Sequence, residues 1–149
     1  TDQVSDIGQG VDVVQVVSGS TLNGTVTGAW TATSASNNSG AANLTASGID
    51  INLEAVASGN GWRVSNTGAG ASFTGSMLAD SVTGGTGNDT LRGAGGNDLI
   101  DAGTGSDTVI VDAGTDTFND LGSDLDVLQV ATGATVVAGN GVSTEAEGV

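Results

Sequence analysis

The 149 residues contain no cysteine, no proline, no histidine, no lysine and no tyrosine. Without cysteine there is no disulfide framework and no thiolate metal site. Without histidine, cysteine, lysine or tyrosine the usual bases, nucleophiles and acids of catalysis are missing, so an enzyme is not expected. Asp50 and Glu54 are the nearest approach to a carboxylate pair, and they read as a solvated strand edge. Positive charge is almost absent: two arginines face 17 acidic residues, a net charge of −15. Such a chain repels nucleic acid and anionic membranes and attracts cations. No apolar run reaches membrane-spanning length, and residues 1–20 lack the charged start and apolar core of an export signal. An export signal is therefore expected outside these residues.

What is abundant is glycine, 26 residues of it, together with Val, Ile and Thr. That mixture reads as an all-β chain with many tight turns. Acidic composition alone would suggest disorder, but the acids here recur at a fixed spacing. Aligned in nines, residues 84–92 read Gly-Gly-Thr-Gly-Asn-Asp-Thr-Leu-Arg and residues 93–101 Gly-Ala-Gly-Gly-Asn-Asp-Leu-Ile-Asp. Residues 102–110 and 111–119 continue the register. Position four is always glycine (Gly87, Gly96, Gly105, Gly114) and position six always aspartate (Asp89, Asp98, Asp107, Asp116). Position eight is always large and apolar (Leu91, Ile100, Val109, Phe118). A degenerate unit upstream keeps Asp80 and Val82 but has Leu78 and Ala79 where glycine and asparagine are expected.

Four consecutive units of this form resemble the RTX family of nonapeptide repeats, Gly-Gly-x-Gly-x-Asp-x-apolar-x, a calcium-binding β-helix motif. The resemblance implies a right-handed parallel β-helix or β-roll solenoid. In it six residues turn, three form a strand, two units complete one coil, and calcium lies between stacked turns. Hard carbonyl and carboxylate oxygens suit Ca²⁺, which takes six to eight of them, better than Mg²⁺. Carried onto this sequence, the implied metal-holding residues are Asp80, Gly84, Thr86, Asp89, Gly93, Gly95, Asp98, Gly103, Asp107 and Asp116. Carboxylates 18 residues apart should share an edge, Asp80, Asp98 and Asp116 on one and Asp89 and Asp107 on the other. A metal-free solenoid with Asn-Asp-Gly turns is the alternative. Since one apolar side chain per nine residues offsets little of the cost of ordering them, calcium binding is expected to drive folding.

A second, longer repeat joins the two ends. Asp6-Ile7-Gly8 matches Asp120-Leu121-Gly122, and Asp12 to Val16 matches Asp126 to Val130, at a constant offset of 114. The division expected is therefore 1–12 as the end of a preceding calcium coil and 13–79 as a low-charge β segment. Residues 80–119 form the calcium β-roll and 120–149 the start of the next tandem repeat. Asp124 and Asp126, and Asp2 at the other end, either extend the calcium ladder or solvate a turn. Strands are expected at 11–17, 21–33, 42–46, 49–54, 62–66 and 71–74, with 34–40 the most loop-like stretch. Residues 13–79 fit wider β-helix coils, or a small β-sandwich flanked by β-roll. Trp30, Trp62 and Phe73 read as core rather than as a sugar platform.

Together these features suggest a calcium-dependent structural or adhesive repeat module. RTX proteins of this kind leave Gram-negative-type bacteria by type I secretion and fold outside on meeting calcium, and long tandem arrays occur in adhesins and surface-layer proteins. Alternatives are a glycan- or ice-binding module on the same scaffold, with Thr86 and Thr104 as its two rungs, or the calcium domain of a secreted toxin or hydrolase. Expected partners are calcium, neighbouring repeats of the same chain, and self-association or a cell-surface glycan, with neither nucleic acid nor membrane insertion.

Overall fold

The computed structural model describes residues 2–8, 12–121 and 124–139, which contain strands and turns but no helix. Residue 11 of the expected first strand, Gly122 of the long repeat, and the last ten residues of the expected next repeat lie outside these bounds.

Strands β1 (Asp2–Ile7), β3 (Thr21–Val26), β6 (Ala41–Ala46), β8 (Trp62–Asn66), β10 (Ser81–Thr83), β12 (Leu99–Asp101), β14 (Thr115–Asn119) and β16 (Thr135–Ala138) form one eight-stranded parallel sheet in that order. A second parallel sheet runs β4 (Trp30–Thr31), β7 (Ile51–Asn52), β9 (Ser72–Thr74), β11 (Thr90–Arg92), β13 (Thr108–Val111), β15 (Val127–Val130). β2 (Gln15–Val16) and β5 (Asn37–Asn38) pair on a short third side. Because the chain alternates between the two large sheets and always pairs in parallel with the strand one coil away, it winds as a β-solenoid of about six turns. Residues 13–79 are part of this continuous solenoid, so the sandwich alternative falls.

Coil length changes along the axis. Upstream, Thr21 pairs with Ala41 and Ala42 with Trp62, steps of 20 residues. On the second sheet Ile51 pairs with Phe73, a step of 22. From Arg63, which pairs with Ser81, the step is 18 and holds through Leu99 and Thr117. The longer coils accommodate the third side and a wider interior filled by Trp30, Trp62, Leu53 and Val56, all buried. The two indoles meet at 6.0 Å between ring centroids. Phe73 is buried as well, so none of the three aromatics forms a sugar platform.

In the narrower coils the position-eight residues make most of the core, joined by Ala102 and Val111. Val64, Val82, Ile100 and Phe118 stack beneath one sheet, Phe73, Leu91 and Val109 beneath the other, and all are buried. Period-two alternation accounts for this, since each short strand points one central side chain inward. Two expectations change in detail. The stretch 21–33 is not one strand: it breaks into β3 and β4 around the corner at 27–29. The stretch 34–40 is not merely loop, since it holds β5 and buries Ser36 and Asn38. Asn38 Nδ2 donates to the Gly61 carbonyl and its Oδ1 accepts from the Gly40 amide, so the buried amide is satisfied.

Candidate metal centre

The turns of the narrow coils are shaped by glycine at position four, with Gly87, Gly96, Gly105 and Gly114 at φ between +101° and +128°. Only glycine enters that region without strain. At position one of the first two units the need is for space: a Cβ on Gly93 would strike the Asp98 carboxylate. The turn therefore closes around its own aspartate.

Each position-six aspartate reaches back to the coil before it. Asp98 Oδ1 accepts from the Asp80 amide at 2.8 Å, and Asp116 Oδ1 from the Asp98 amide at 3.0 Å. On the other edge Asp89 Oδ1 accepts from the Ala71 amide at 2.7 Å, and Asp107 Oδ1 from the Asp89 amide at 2.8 Å. Asp80 begins its ladder on the Trp62 amide at 2.7 Å. The expected edges, Asp80 with Asp98 and Asp116, and Asp89 with Asp107, are the hydrogen-bonded ladders that form. Position five adds a brace the sequence reading passed over: Asn88 Oδ1 accepts from the Ser106 amide and Asn97 Oδ1 from the Thr115 amide. An asparagine at position five of the first two units was the available signal.

The second carboxylate oxygen carries the chemistry. Oδ2 of Asp89, Asp98 and Asp107 is buried and has no hydrogen-bond partner, while Oδ2 of Asp80 accepts from both the amide and the hydroxyl of Ser76. Burial raises the pKa of all five ladder aspartates. Asp98 is pushed to about 7, chiefly by burial and further by the charges of Asp80 and Asp116. A bare, buried carboxylate oxygen among like charges is a costly arrangement, and a cation relieves it. Neither arginine does so within the ladders: Arg92 pairs with Asp112 and Glu54 on the surface of the second sheet.

The oxygens around the turns fit that cation. Among the described residues no three acidic side chains converge, so carboxylates alone do not form a site. Carbonyls supply the remainder. Those of Gly85 and Ala94 accept amides from the next coil, whereas among the described residues no hydrogen bond ends on the carbonyls of Gly84, Thr86, Gly93, Gly95 or Gly103. Two hard carboxylates plus several free carbonyls is a donor set for Ca²⁺ rather than for Mg²⁺, which keeps its waters. Gly103 occupies the same turn position as Gly85 and Ala94, at φ +90°.

Of the outlying candidates, Asp126 joins a ladder, its Oδ1 accepting from the Asp107 amide at 2.9 Å. Asp124 grips the same turn through the Gly105 amide at 3.0 Å. Asp2 is exposed on β1, the edge strand at the opposite end of the sheet from these turns.

Comparison with known proteins agrees with this geometry. Residues 74–109 and 83–118 match the family model described as RTX calcium-binding nonapeptide repeat (4 copies). No curated protein and no solved structure matches the chain.

Proposed function

Because residues 74–118 are RTX calcium-binding nonapeptide repeats, we propose that the chain is a calcium-locked, rod-forming segment of a secreted bacterial surface protein, built to extend or stiffen an array. The observation that carries the reading is the set of buried, unpartnered Oδ2 atoms of Asp89, Asp98 and Asp107 beside free turn carbonyls. Asp89, Asp98, Asp107 and Asp116, with the carbonyls of Gly84, Thr86, Gly93 and Gly95, hold the ions. Calcium supplies the positive charge that stacked carboxylates need, and its binding energy becomes folding energy. The chain's own part is to hold the turns open around their aspartates and to stack them at one coil per step. Export by type I secretion as an unfolded chain, with folding on meeting extracellular calcium, is what the RTX repeats imply, and it fits that coupling.

The array reading draws on the strand register. Asp2, Gln3 and Val4 pair with Leu22, Asn23 and Gly24, and Asp116, Thr117 and Phe118 pair with Val136, Val137 and Ala138. These are the same pairs displaced by 114 residues, so both ends build one coil in one register. A solenoid in which such a unit recurs stacks without interruption.

Circular dichroism of the full chain with calcium and with a chelator tests the proposal. β-Structure should be present in the first and largely lost in the second. Identical spectra would overturn it.

A further inference from the structure

The two arginines are the only basic side chains of the sequence. Arg92 is paired, but Arg63 on β8 is exposed and, among the described residues, has neither an ion pair nor a hydrogen bond. It lies in the middle of the outer face of β3, β6, β8 and β10. Register aligns Asn23, Asn43, Arg63 and Ser81 in one row there, and Thr25, Thr45, Ser65 and Thr83 in the next. None of these four strands contains an acidic residue. In a chain of net charge −15, this is a face of small hydroxyls and amides with one free cation at its centre.

A cleft of about 240 Å³ opens beside Arg63, walled by Asn43, Arg63 and Ser81 and floored by Ala41, Gly61 and Ala79. Its floor is low because the coils approach closely: a Cβ on Gly61 would strike the Ala79 carbonyl. Asn43 Nδ2 donates to Asn23 Oδ1 at 2.9 Å, which orients the amide and leaves Asn43 Oδ1 without a partner among the described residues.

We infer that this face binds an acidic polysaccharide laid along the solenoid axis, with Arg63 receiving a sugar carboxylate and the Asn and Thr/Ser rows receiving hydroxyls. The inference rests on the extracellular reading above, since polysaccharide is met outside the cell. A guanidinium offers the planar fork that a carboxylate fits. Rows repeating at each coil, about 4.8 Å apart, give a linear polyol successive partners. An acidic peptide fits less well, because the strands are paired on both sides and offer no edge, and the cleft has no apolar anchor. Nucleic acid needs several cations to neutralise its phosphates. The nearest ladder carboxylate, Asp80, adjoins the cleft but is buried, with its oxygens taken by the Trp62 and Ser76 amides. One such contact per unit is weak, and recurrence along an array multiplies it.

The test uses the full chain in saturating calcium, with hyaluronan oligosaccharides as the acidic probe and chitin oligosaccharides as the neutral one, titrated calorimetrically. Binding of the acidic probe should weaken at least tenfold in Arg63→Gln and recover in part in Arg63→Lys, while Arg92→Gln leaves it unchanged. Among the described residues Arg63 has no partner to lose, so the variant should keep the wild-type calcium-dependent dichroism, which is checked alongside. Equal binding by Arg63→Gln, or equal binding of the neutral probe, overturns the inference. Failure of the wild type to bind while it still folds on calcium overturns it too and leaves the calcium reading standing. Absence of any calcium response overturns the calcium reading itself.

Discussion

Asp98 faces two opposing demands. Its Oδ1 is held by the Asp80 amide, and its own amide is held by Asp116 Oδ1, so it is the middle rung of its ladder. Its Oδ2 is bare. Asp80, one coil earlier, has both oxygens occupied. The two aspartates should therefore respond differently to replacement. Asp98→Ala is expected to lower the calcium stoichiometry and weaken the remaining affinity at least tenfold, read by calorimetry. Asp80→Ala should leave the stoichiometry largely intact. It should still cost about 1–3 kcal/mol of thermal stability, because the Trp62 and Ser76 amides lose their acceptor in the interior. Equal calcium titrations for the two variants would count against the ladder as a metal site. Ala94 makes a second test. It sits at φ +71°, where the equivalent Gly85 and Gly103 are at +91° and +90°. Left-handed backbone costs a non-glycine residue roughly 1–2 kcal/mol, partly offset by the lower entropy of unfolded alanine. Ala94→Gly should accordingly raise the calcium-bound stability by about 0.5–1 kcal/mol, measured by thermal unfolding.

At the level of strands and coils, what could be read from the sequence followed what repeats. Position eight marked Leu91, Ile100, Val109 and Phe118, because a three-residue strand points its centre inward, but it did not mark Ala102 and Val111, which are buried as well. The aspartate ladders were legible because an 18-residue coil makes them geometrically inevitable. The upstream coils were not legible, since steps of 20 to 22 residues have no constant phase and their corners are formed by particular side chains such as Asn38 and Ser36. The free carbonyls of Gly84, Thr86, Gly93, Gly95 and Gly103 were named only through the family resemblance, because which carbonyl a turn leaves unbonded depends on the coil stacked upon it. These differences predict unequal costs. Ile100→Ala, in a row one residue wide, should cost about 2–5 kcal/mol, since no neighbour can collapse into the space. Arg92→Gln, which removes a surface clip to Asp112 and Glu54, should cost under about 1 kcal/mol. Denaturant unfolding in calcium compares the two, and a larger loss for the arginine would contradict the core assignment.

For the whole molecule, the pKa directions give the metal-free and calcium-bound proteins opposite responses to pH. Folding buries the ladder aspartates and raises their pKa above the ordinary 3.8, to about 7 for Asp98. Between those limits the folded state binds more protons than the unfolded one, so metal-free stability falls as pH rises. It is greatest below about pH 4 and is lost through the folded pKa of Asp98 near neutrality. Calcium needs the ionised form, and protons compete with it across the same interval. In chelator, lowering the pH from 8 to 5 should therefore increase β-structure and raise the melting temperature. In limiting calcium the same change should weaken binding and lower the melting temperature towards the metal-free value. Dichroism melts across this range, with and without calcium, read both arms. A metal-free protein that grew more stable as pH rose would mean that the ladder carboxylates are neither buried nor stacked in the folded chain.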